Sequence, residues 1–278
     1  MHRRSGRSDQ GRDNQAAGLL GCRQIFRSHP PFRRPSSVAN TDRKTFVLVH
    51  GAWHGGWCWG AVAARLRAHG HTVLTPTQTG LGERAHLISK SITLDTFVDD
   101  IANVIRFEEL DDIVLVGHSF GGNAISGVAD RMPERVRKLV YLDSSMLENG
   151  QTPFSRLPQD VVAARIKAAE DSSGGLSIPA PPAAAFGVTD PQQAKWLEAR
   201  LTPHPLSTFM SPLKLDNKVG NGRPATYIVC ADPIYGPLQS SRDWVKNAGM
   251  KMVEIKSGHD AMVMVPDELA DMLEAESA

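Results

Sequence analysis

Hydrophobic and polar positions alternate in a regular order from Thr45 onward. Short runs rich in β-branched residues are followed by glycine-containing turns and then by segments whose apolar residues recur at helical spacing. The predicted strands are TFVLVH (45–50), HTVLTP (71–76), DDIVLVG (111–117), VRKLVYLDSS (136–145), ATYIVCAD (225–232) and KMVEIKS (251–257). This order predicts an α/β fold with a mostly parallel, doubly wound sheet of about six strands.

Helical spacing fills the intervals between these strands. The predicted helices cover AVAARLRAH (61–69), LDTFVDDIANVIRF (94–107), a segment from Ser119 to about Met132, and segments near 238–248 and 266–275. The third strand is uninterrupted in its apolar residues, which indicates burial on both faces.

The regular order stops between about Met146 and Gly222. This stretch is rich in proline and alanine, as in SIPAPPAAAFG and RLTPHPLSTFMSP. It is too long for a simple connection between two strands. We therefore expect a helical cap, inserted after the fourth strand at about 146–222.

Composition separates the N-terminal segment from the rest. Residues 1–44 hold ten Arg and Lys against three Asp, a net charge of +7, whereas residues 45–278 hold 21 against 27, a net charge of −6. The segment 1–44 is also rich in Ser, Gly, Asn and Pro, so we predict a disordered basic extension before a single α/β domain at 45–278. The apolar stretch AAGLLGC is too short for a signal peptide core, which favours a cytoplasmic protein.

Cysteine usage and hydropathy argue against a disulfide-rich, a cysteine-metal or a membrane-spanning protein. Cys22, Cys58 and Cys230 are an odd number with no CxxC pair, which predicts neither a disulfide framework nor a cysteine metal site. No stretch approaches the roughly 18 apolar residues of a membrane span. The basic segment lacks a nucleic-acid-binding module, so we expect neither a nucleic acid nor a membrane as partner. The sequence does not predict an oligomeric state.

The segment IVLVGHSFGGNA contains the pattern G-x-S-x-G at residues 117–121. A buried strand precedes it and a helix follows, which is the setting of a serine nucleophile on a sharp turn. A glycine-rich nucleotide loop is the competing interpretation, but the strand-turn-helix context favours Ser119 as nucleophile.

A serine hydroxyl is a weak nucleophile near neutral pH and requires a base and an orienting acid. His259 follows the last predicted strand and is the candidate base. Two carboxylates end predicted strands at the same rim, Asp232 and Asp143. We expect Asp232 to be the acid, because it ends the strand after the cap, and Asp143 to be a structural carboxylate.

Acyl transfer also requires hydrogen-bond donors for the developing oxyanion. The N–H group of Phe120 directly follows the nucleophile, and the glycine-rich loop HGAWHGGW offers the N–H group of Ala52 as the second donor. His50 and His54 are four residues apart in this loop, but they lie on no predicted helix and have no third ligand near them in sequence. No metal and no cofactor are expected.

The motifs LVHGAWHGGWCW, VGHSFGG, YIVCAD and SGHD, in this order, resemble the α/β-hydrolase superfamily over about residues 45–275. More narrowly, they are similar to the branch of plant methylesterases, hydroxynitrile lyases and bacterial esterase relatives. The resemblance implies the roles already assigned to Ser119, His259, Asp232, Ala52 and Phe120.

The resemblance also separates two reactions. Lyases of this branch have threonine directly after the first histidine of the loop and lysine directly after the catalytic histidine. Here these positions are Gly51 and Asp260. Glycine leaves space for an ester and aspartate would repel cyanide, so the resemblance favours an esterase. The methylesterases are expected to carry an apolar residue where Asp260 stands.

The sequence therefore predicts a serine hydrolase that cleaves carboxylic esters of small to medium apolar compounds through an acyl-enzyme. A hydroxynitrile lyase-like enzyme, a cofactor-free dioxygenase and a non-catalytic ligand receptor remain alternatives on the same fold. Large apolar side chains are expected to line the pocket, and the candidates are Trp53, Trp57, Met146, Phe186, Trp196, Phe209 and Met210.

Overall fold

The computed structural model describes residues 43–277. The predicted extension at 1–44 therefore lies outside the described residues except for its last two. Among residues 43–277, no helix is long and apolar enough to cross a membrane.

Eight strands and nine α-helices follow one another along the described chain. The strands are β1 (Thr45–Val49), β2 (Thr72–Leu74), β3 (Ile113–His118), β4 (Val136–Leu142), β5 (Ser177–Ile178), β6 (His204–Pro205), β7 (Ala225–Cys230) and β8 (Lys251–Ile255). The helices are α1 (Gly60–Ala68), α2 (Leu94–Phe107), α3 (Gly121–Arg131), α4 (Gln159–Ser173), α5 (Pro191–Glu198), α6 (Leu206–Met210), α7 (Gln239–Asn247), α8 (Ala261–Met264) and α9 (Pro266–Glu276).

Six of the strands form one sheet in the order β2-β1-β3-β4-β7-β8. Every neighbouring pair in this sheet is parallel. The predicted parallel sheet of about six strands is thus confirmed. Its centre is β3, whose six residues are all buried, as the uninterrupted apolar pattern predicts.

Helices cover both faces of the sheet and divide the core into two parts. Along β3 the side chains alternate, so that Ile113 and Leu115 pack in one part and Val114 and Val116 in the other. The first part includes α2 and α3, which contact each other, and the second includes α1 and α9. This arrangement leaves the carboxyl edge of the sheet as the place where functional loops meet.

The register of the central strands brings several loops to one edge. Gly117 of β3 pairs with Val49 of β1, and His118 pairs with Leu142 of β4. The residues that follow these strands, in the loops after β1, β3 and β4, therefore leave the sheet at the same level.

The long connection between β4 and β7 holds α4, α5, α6 and the antiparallel pair β5–β6. This confirms a helical cap after the fourth strand. The cap is bonded to the loop after β1, because the indole N–H of Trp53 donates to the Ile178 carbonyl at 3.2 Å and the Thr202 N–H donates to the Trp53 carbonyl at 2.9 Å.

Candidate active site

Ser119 lies on the turn between β3 and α3 with a φ of +52°, in the left-handed region that a non-glycine residue rarely adopts. The turn is tight because α3 begins directly against the end of β1. A Cβ atom on Gly121 would lie 2.6 Å from the His50 carbonyl oxygen, so only glycine fits there. The structure thus has the strand-turn-helix geometry predicted from G-x-S-x-G.

His259 joins Ser119 to a carboxylate. Its Nε2 atom lies 2.9 Å from the Ser119 Oγ atom, and its Nδ1 atom lies 2.7 Å from an Asp143 carboxylate oxygen. With Nδ1 protonated and donating to Asp143, Nε2 is free to accept the Ser119 hydroxyl proton. Asp143 is fully buried and His259 is 2% exposed.

The prediction that Asp232 contacts His259 as the acid is therefore wrong. The carboxylate that contacts His259 is that of Asp143. Asp143 follows β4, the immediate neighbour of β3 in the sheet, whereas Asp232 follows β7, one strand further away. The backbone N–H of Asp232 donates to the Ser257 carbonyl and its side chain is exposed. Asp143 has a φ of +35°, so the chain turns sharply where the carboxylate meets His259.

Arg242 of α7 holds the other oxygen of the Asp143 carboxylate at 3.3 Å. Its guanidinium also donates to the Tyr235 carbonyl at 3.0 Å, and the residue is only 6% exposed. The sequence analysis missed this arginine. Its distance from Asp143 along the chain, 99 residues, gives no signal that the two residues meet.

Two backbone N–H groups beside Ser119 are free to bind an oxyanion. Within residues 43–277, neither the N–H of Ala52 nor that of Phe120 donates to a protein acceptor. Both residues line the same pocket as Ser119. The structure thus brings together the two predicted donors and the predicted nucleophile.

Gly51 lies directly against Ser119. A Cβ atom on this residue would lie 2.7 Å from the Ser119 Cβ atom and 3.0 Å from the His118 Nδ1 atom. A larger residue at this position, including the threonine of the lyases, would require the turn that carries Ser119 to move.

Asp260, next to His259, pairs with His54 of the loop after β1. The His54 Nε2 atom lies 3.0 Å from the carboxylate, and its Nδ1 atom lies 2.7 Å from the Ala52 carbonyl oxygen. Burial alone would lower the pKa of His54, but the charge of Asp260 and these hydrogen bonds raise it above its ordinary value. The protonated ring then donates from both nitrogens and connects the His259 loop to Ala52.

The ring nitrogens of His50 and His54 are already engaged. His50 donates to the Gly51 carbonyl and accepts the N–H of Gln78, and burial lowers its pKa to about 3, so the ring is neutral. One group that could hold a metal ion in the described chain is His118, His259 and Asp260. Ligation by this group would take His259 away from Ser119 or Asp143. An exposed group, His69, Asp271 and Glu274, lies elsewhere on the surface.

A small pocket of about 50 Å³ opens above Ser119. Of the seven predicted lining residues, Trp53 and Phe209 line it. The other five do not, which corrects the expectation. Met146 is core, and Phe186 is buried behind the site against His54 and His259; Trp57 and Trp196 line a separate surface groove, and Met210 is 56% exposed.

The pocket also contains residues that the sequence analysis did not identify. Tyr235 stacks on the His259 ring with 4.0 Å between the ring centroids. Two arginines from the cap region, Arg156 and Arg165, line the pocket as well. The pocket is therefore apolar on several sides and cationic on the cap side.

Comparison with known proteins places this geometry in a family. The Alpha/beta hydrolase family matches residues 46–272. A carbendazim hydrolyzing esterase of Nocardioides sp. is 42% identical over 239 residues, which cover 83% of this chain and 98% of that protein. Methylesterase 10 of Arabidopsis thaliana is 27% identical over 253 residues, which cover 82% of this chain and 90% of that protein.

Among solved structures, an extracellular α/β-hydrolase from a Paenibacillus species superimposes with a TM-score of 0.70 at 26% identity. The match covers 82% of this chain and 97% of that one, and that enzyme is described as homologous in structure and function to a tobacco salicylic acid binding protein. The family match spans most of the chain, including the turn at Ser119 and the loop at His259. The chain belongs to the alpha/beta hydrolase family.

Proposed function

We propose that this protein is a carboxylic ester hydrolase in which Ser119, His259 and Asp143 form the catalytic triad. The observation that carries the proposal is the continuous hydrogen-bonded series from Ser119 Oγ through His259 to Asp143, with distances of 2.9 and 2.7 Å. The free N–H groups of Ala52 and Phe120 beside it support acyl transfer.

In the first half of the reaction, Ser119 Oγ attacks the ester carbonyl carbon and His259 Nε2 takes the hydroxyl proton. Asp143 stabilises the imidazolium through its Nδ1–H group. The N–H groups of Ala52 and Phe120 donate to the oxyanion of the tetrahedral intermediate. The intermediate collapses, the bond to the alkoxide breaks, and His259 returns the proton to the departing alcohol.

In the second half, a water molecule attacks the acyl-enzyme while His259 Nε2 accepts one of its protons. The second tetrahedral intermediate collapses to the free acid, and the proton returns to Ser119 Oγ. Arg242 holds Asp143, and Tyr235 covers one face of His259. Both contacts keep the imidazole in one orientation through the cycle.

Ester cleavage is favoured over the lyase reaction by two features of the site. The turn at Ser119 leaves no room for a side chain at position 51, where the lyases carry threonine. Asp260 places a carboxylate directly after His259, where the lyases carry lysine. A cation that could stabilise cyanide does not stand at that position. The relatives named as esterases point to the same reaction class.

The test is hydrolysis of p-nitrophenyl esters from acetate to decanoate, with carbendazim as a further substrate. Changing Ser119→Ala should lower kcat/KM by about 10⁴-fold or more because the nucleophile is lost. Ser145→Ala, at another serine that lines the pocket, is the matched control and should stay close to the wild type.

Three results would contradict the proposal. Ester hydrolysis that survives in Ser119→Ala would exclude the serine mechanism, and oxygen consumption with the same substrates would indicate the dioxygenase. Tight binding of esters without turnover by the wild type would indicate a receptor.

The proposal extends to the cytoplasm as the location. Cys58 and Cys230 are buried free thiols, which a reducing compartment would preserve. Cell fractionation tests this, and recovery of the protein outside the cytoplasmic fraction would contradict it.

A further inference from the structure

The cap side of the pocket carries two cations that the ester mechanism does not use. Arg156 ends a short turn before α4, and Arg165 lies on α4 itself. Both side chains are half-buried and both line the pocket that contains Ser119. Within residues 43–277, no carboxylate lines this pocket, although the sequence from residue 45 onward has a net charge of −6.

Arg156 has hydrogen-bond donors with nothing to bind. Its Nε and Nη2 atoms are buried and have no hydrogen-bond partner within the described part of the chain. An unpaired buried donor on a charged group is costly, and native structures rarely leave one without a ligand or water. Several other arginines among the described residues pair with acids, such as Arg131 with Asp95 and Asp99.

Arg165 is held in place by aromatic rings rather than by an acid. Its guanidinium carbon lies 5.6 Å from the ring centroid of Trp53 and 5.2 Å from that of Phe209. Stacking on ring faces leaves the N–H edges of a guanidinium available. Burial lowers the pKa of Arg165, and the charge interaction and hydrogen bond with the Tyr235 side chain only partly oppose this shift. No carboxylate is among the groups that act on it.

Arg165 also marks the boundary between the pocket and an outer groove. The groove shares Trp53, Arg165, Tyr235 and Pro237 with the pocket and has a volume of about 670 Å³. Asp160 lines the groove but not the pocket. A substrate that reaches from Ser119 toward the groove therefore passes along the guanidinium of Arg165.

We propose that Arg156 and Arg165 form a carboxylate-binding side of the pocket and select esters that carry a carboxylate elsewhere in the molecule, an inference that rests on the proposed function. A carboxylate accepts two N–H bonds from a guanidinium in one plane, and it neutralises a cation that is paired with no acid among the described residues. The substrate class thereby changes from purely apolar esters to esters with one negative charge.

Two matched pairs of substrates test this on either side of the ester. The first pair is 4-acetoxybenzoate and 4-acetoxybenzamide, which differ in the charge of the leaving group. The second pair is monomethyl glutarate and methyl 5-amino-5-oxopentanoate, which differ in the charge of the acyl group. In at least one pair, the wild type should favour the carboxylate in kcat/KM by about 10- to 100-fold, the range of a hydrogen bond to a charged group.

Variants assign the preference to the two arginines. Arg156→Gln combined with Arg165→Gln should remove most of the preference for the carboxylate. Cleavage of the ester bond in the two uncharged compounds should continue. Arg200→Gln is the control, because Arg200 lies in the cap over Trp196 and does not line the pocket. Added salt should reduce the preference of the wild type, since it screens charge pairing.

Equal rates within both pairs, or a preference that persists in the double variant, would overturn the inference while the ester hydrolase proposal stands. Calorimetric titration of Ser119→Ala with the four compounds decides the inference even if the wild type hydrolyses no ester. Tighter binding of a carboxylate that depends on the two arginines supports it, and equal binding of acid and amide refutes it.

Discussion

Charged groups are arranged differently on the sheet side, behind the pocket, and on the cap side, in the pocket lining. On the sheet side, the acids and bases bond to one another: Asp143 with His259 and Arg242, and Asp260 with His54. On the cap side, Arg156 and Arg165 have no acid partner among the described residues. The proposed ester hydrolysis requires catalytic groups that are held in place before the substrate arrives. The proposed carboxylate binding requires guanidinium groups that remain free for the substrate.

The largest expected effect comes from Asp143, the proposed acid of the triad. Asp143→Asn should lower kcat by about 10⁴-fold, because the amide no longer fixes the imidazole tautomer or stabilises the imidazolium. Asp232→Asn, at the exposed carboxylate, should change kcat by less than about twofold, as for most surface substitutions. Steady-state kinetics of the two variants measures this, and the reverse ranking would restore Asp232 as the acid.

The second effect concerns the buried pair of His54 and Asp260. His54→Gln should lower the free energy of unfolding by about 3–5 kcal/mol, because it leaves the Asp260 carboxylate buried without its partner. Urea unfolding followed by fluorescence measures the change. The double variant His54→Gln with Asp260→Asn should recover part of the loss, and a double variant as unstable as the sum of both single variants would contradict the pairing.

The third effect tests the close contact at Gly51. Gly51→Ala should lower kcat by about 100-fold, since a displacement of the nucleophile by a fraction of an ångström to 1 Å is enough for such a loss. KM should change less, because the rest of the pocket is untouched. Gly60→Ala is the control, since an added Cβ there meets nothing within 4 Å. Full activity of Gly51→Ala would show that the turn can move freely.

The fourth effect is a pH dependence of stability. His50 has a folded-state pKa of about 3 against an ordinary value of 6.5, so the unfolded chain binds an extra proton between these values. Stability should therefore fall as the pH drops from about 6.5 toward 3. In His50→Gln the slope within that window should be smaller by about 1.4 kcal/mol per pH unit. Urea unfolding at several pH values measures the slope, with His86→Gln, at an exposed histidine, as the control.

The smallest effect is expected on the cap side. Arg156→Gln and Arg165→Gln should change the free energy of unfolding by less than about 1 kcal/mol, because no acid among the described residues is paired with either arginine. The same urea experiment applies. A loss as large as that of His54→Gln would mean that these arginines hold the fold together and are not free for a substrate.

The choice between Asp143 and Asp232 as the proposed acid could not be made from the sequence. Asp143 and Asp232 both end apolar strands, and nothing in either local pattern separates them. The difference lies in strand order, because β4 is adjacent to β3 and β7 is not. The residues that line the pocket could not be predicted from the sequence either. Large apolar side chains such as Met146 and Phe186 suit a core as well as a pocket wall, and in the fold both are buried in the core.

The sequence by itself determined those features that depend on residues close together in the chain. Strand and helix periodicity, the glycines of the turn at Ser119, and the positions of His259, Ala52 and Phe120 follow from local sterics and from the order of strands along the chain. Only the tertiary structure decided which carboxylate meets His259, that His54 pairs with Asp260, and that Arg156 and Arg165 line the pocket of Ser119 without an acid partner among the described residues. These depend on contacts between residues far apart in the chain, which strand adjacency and cap packing create and no local pattern records.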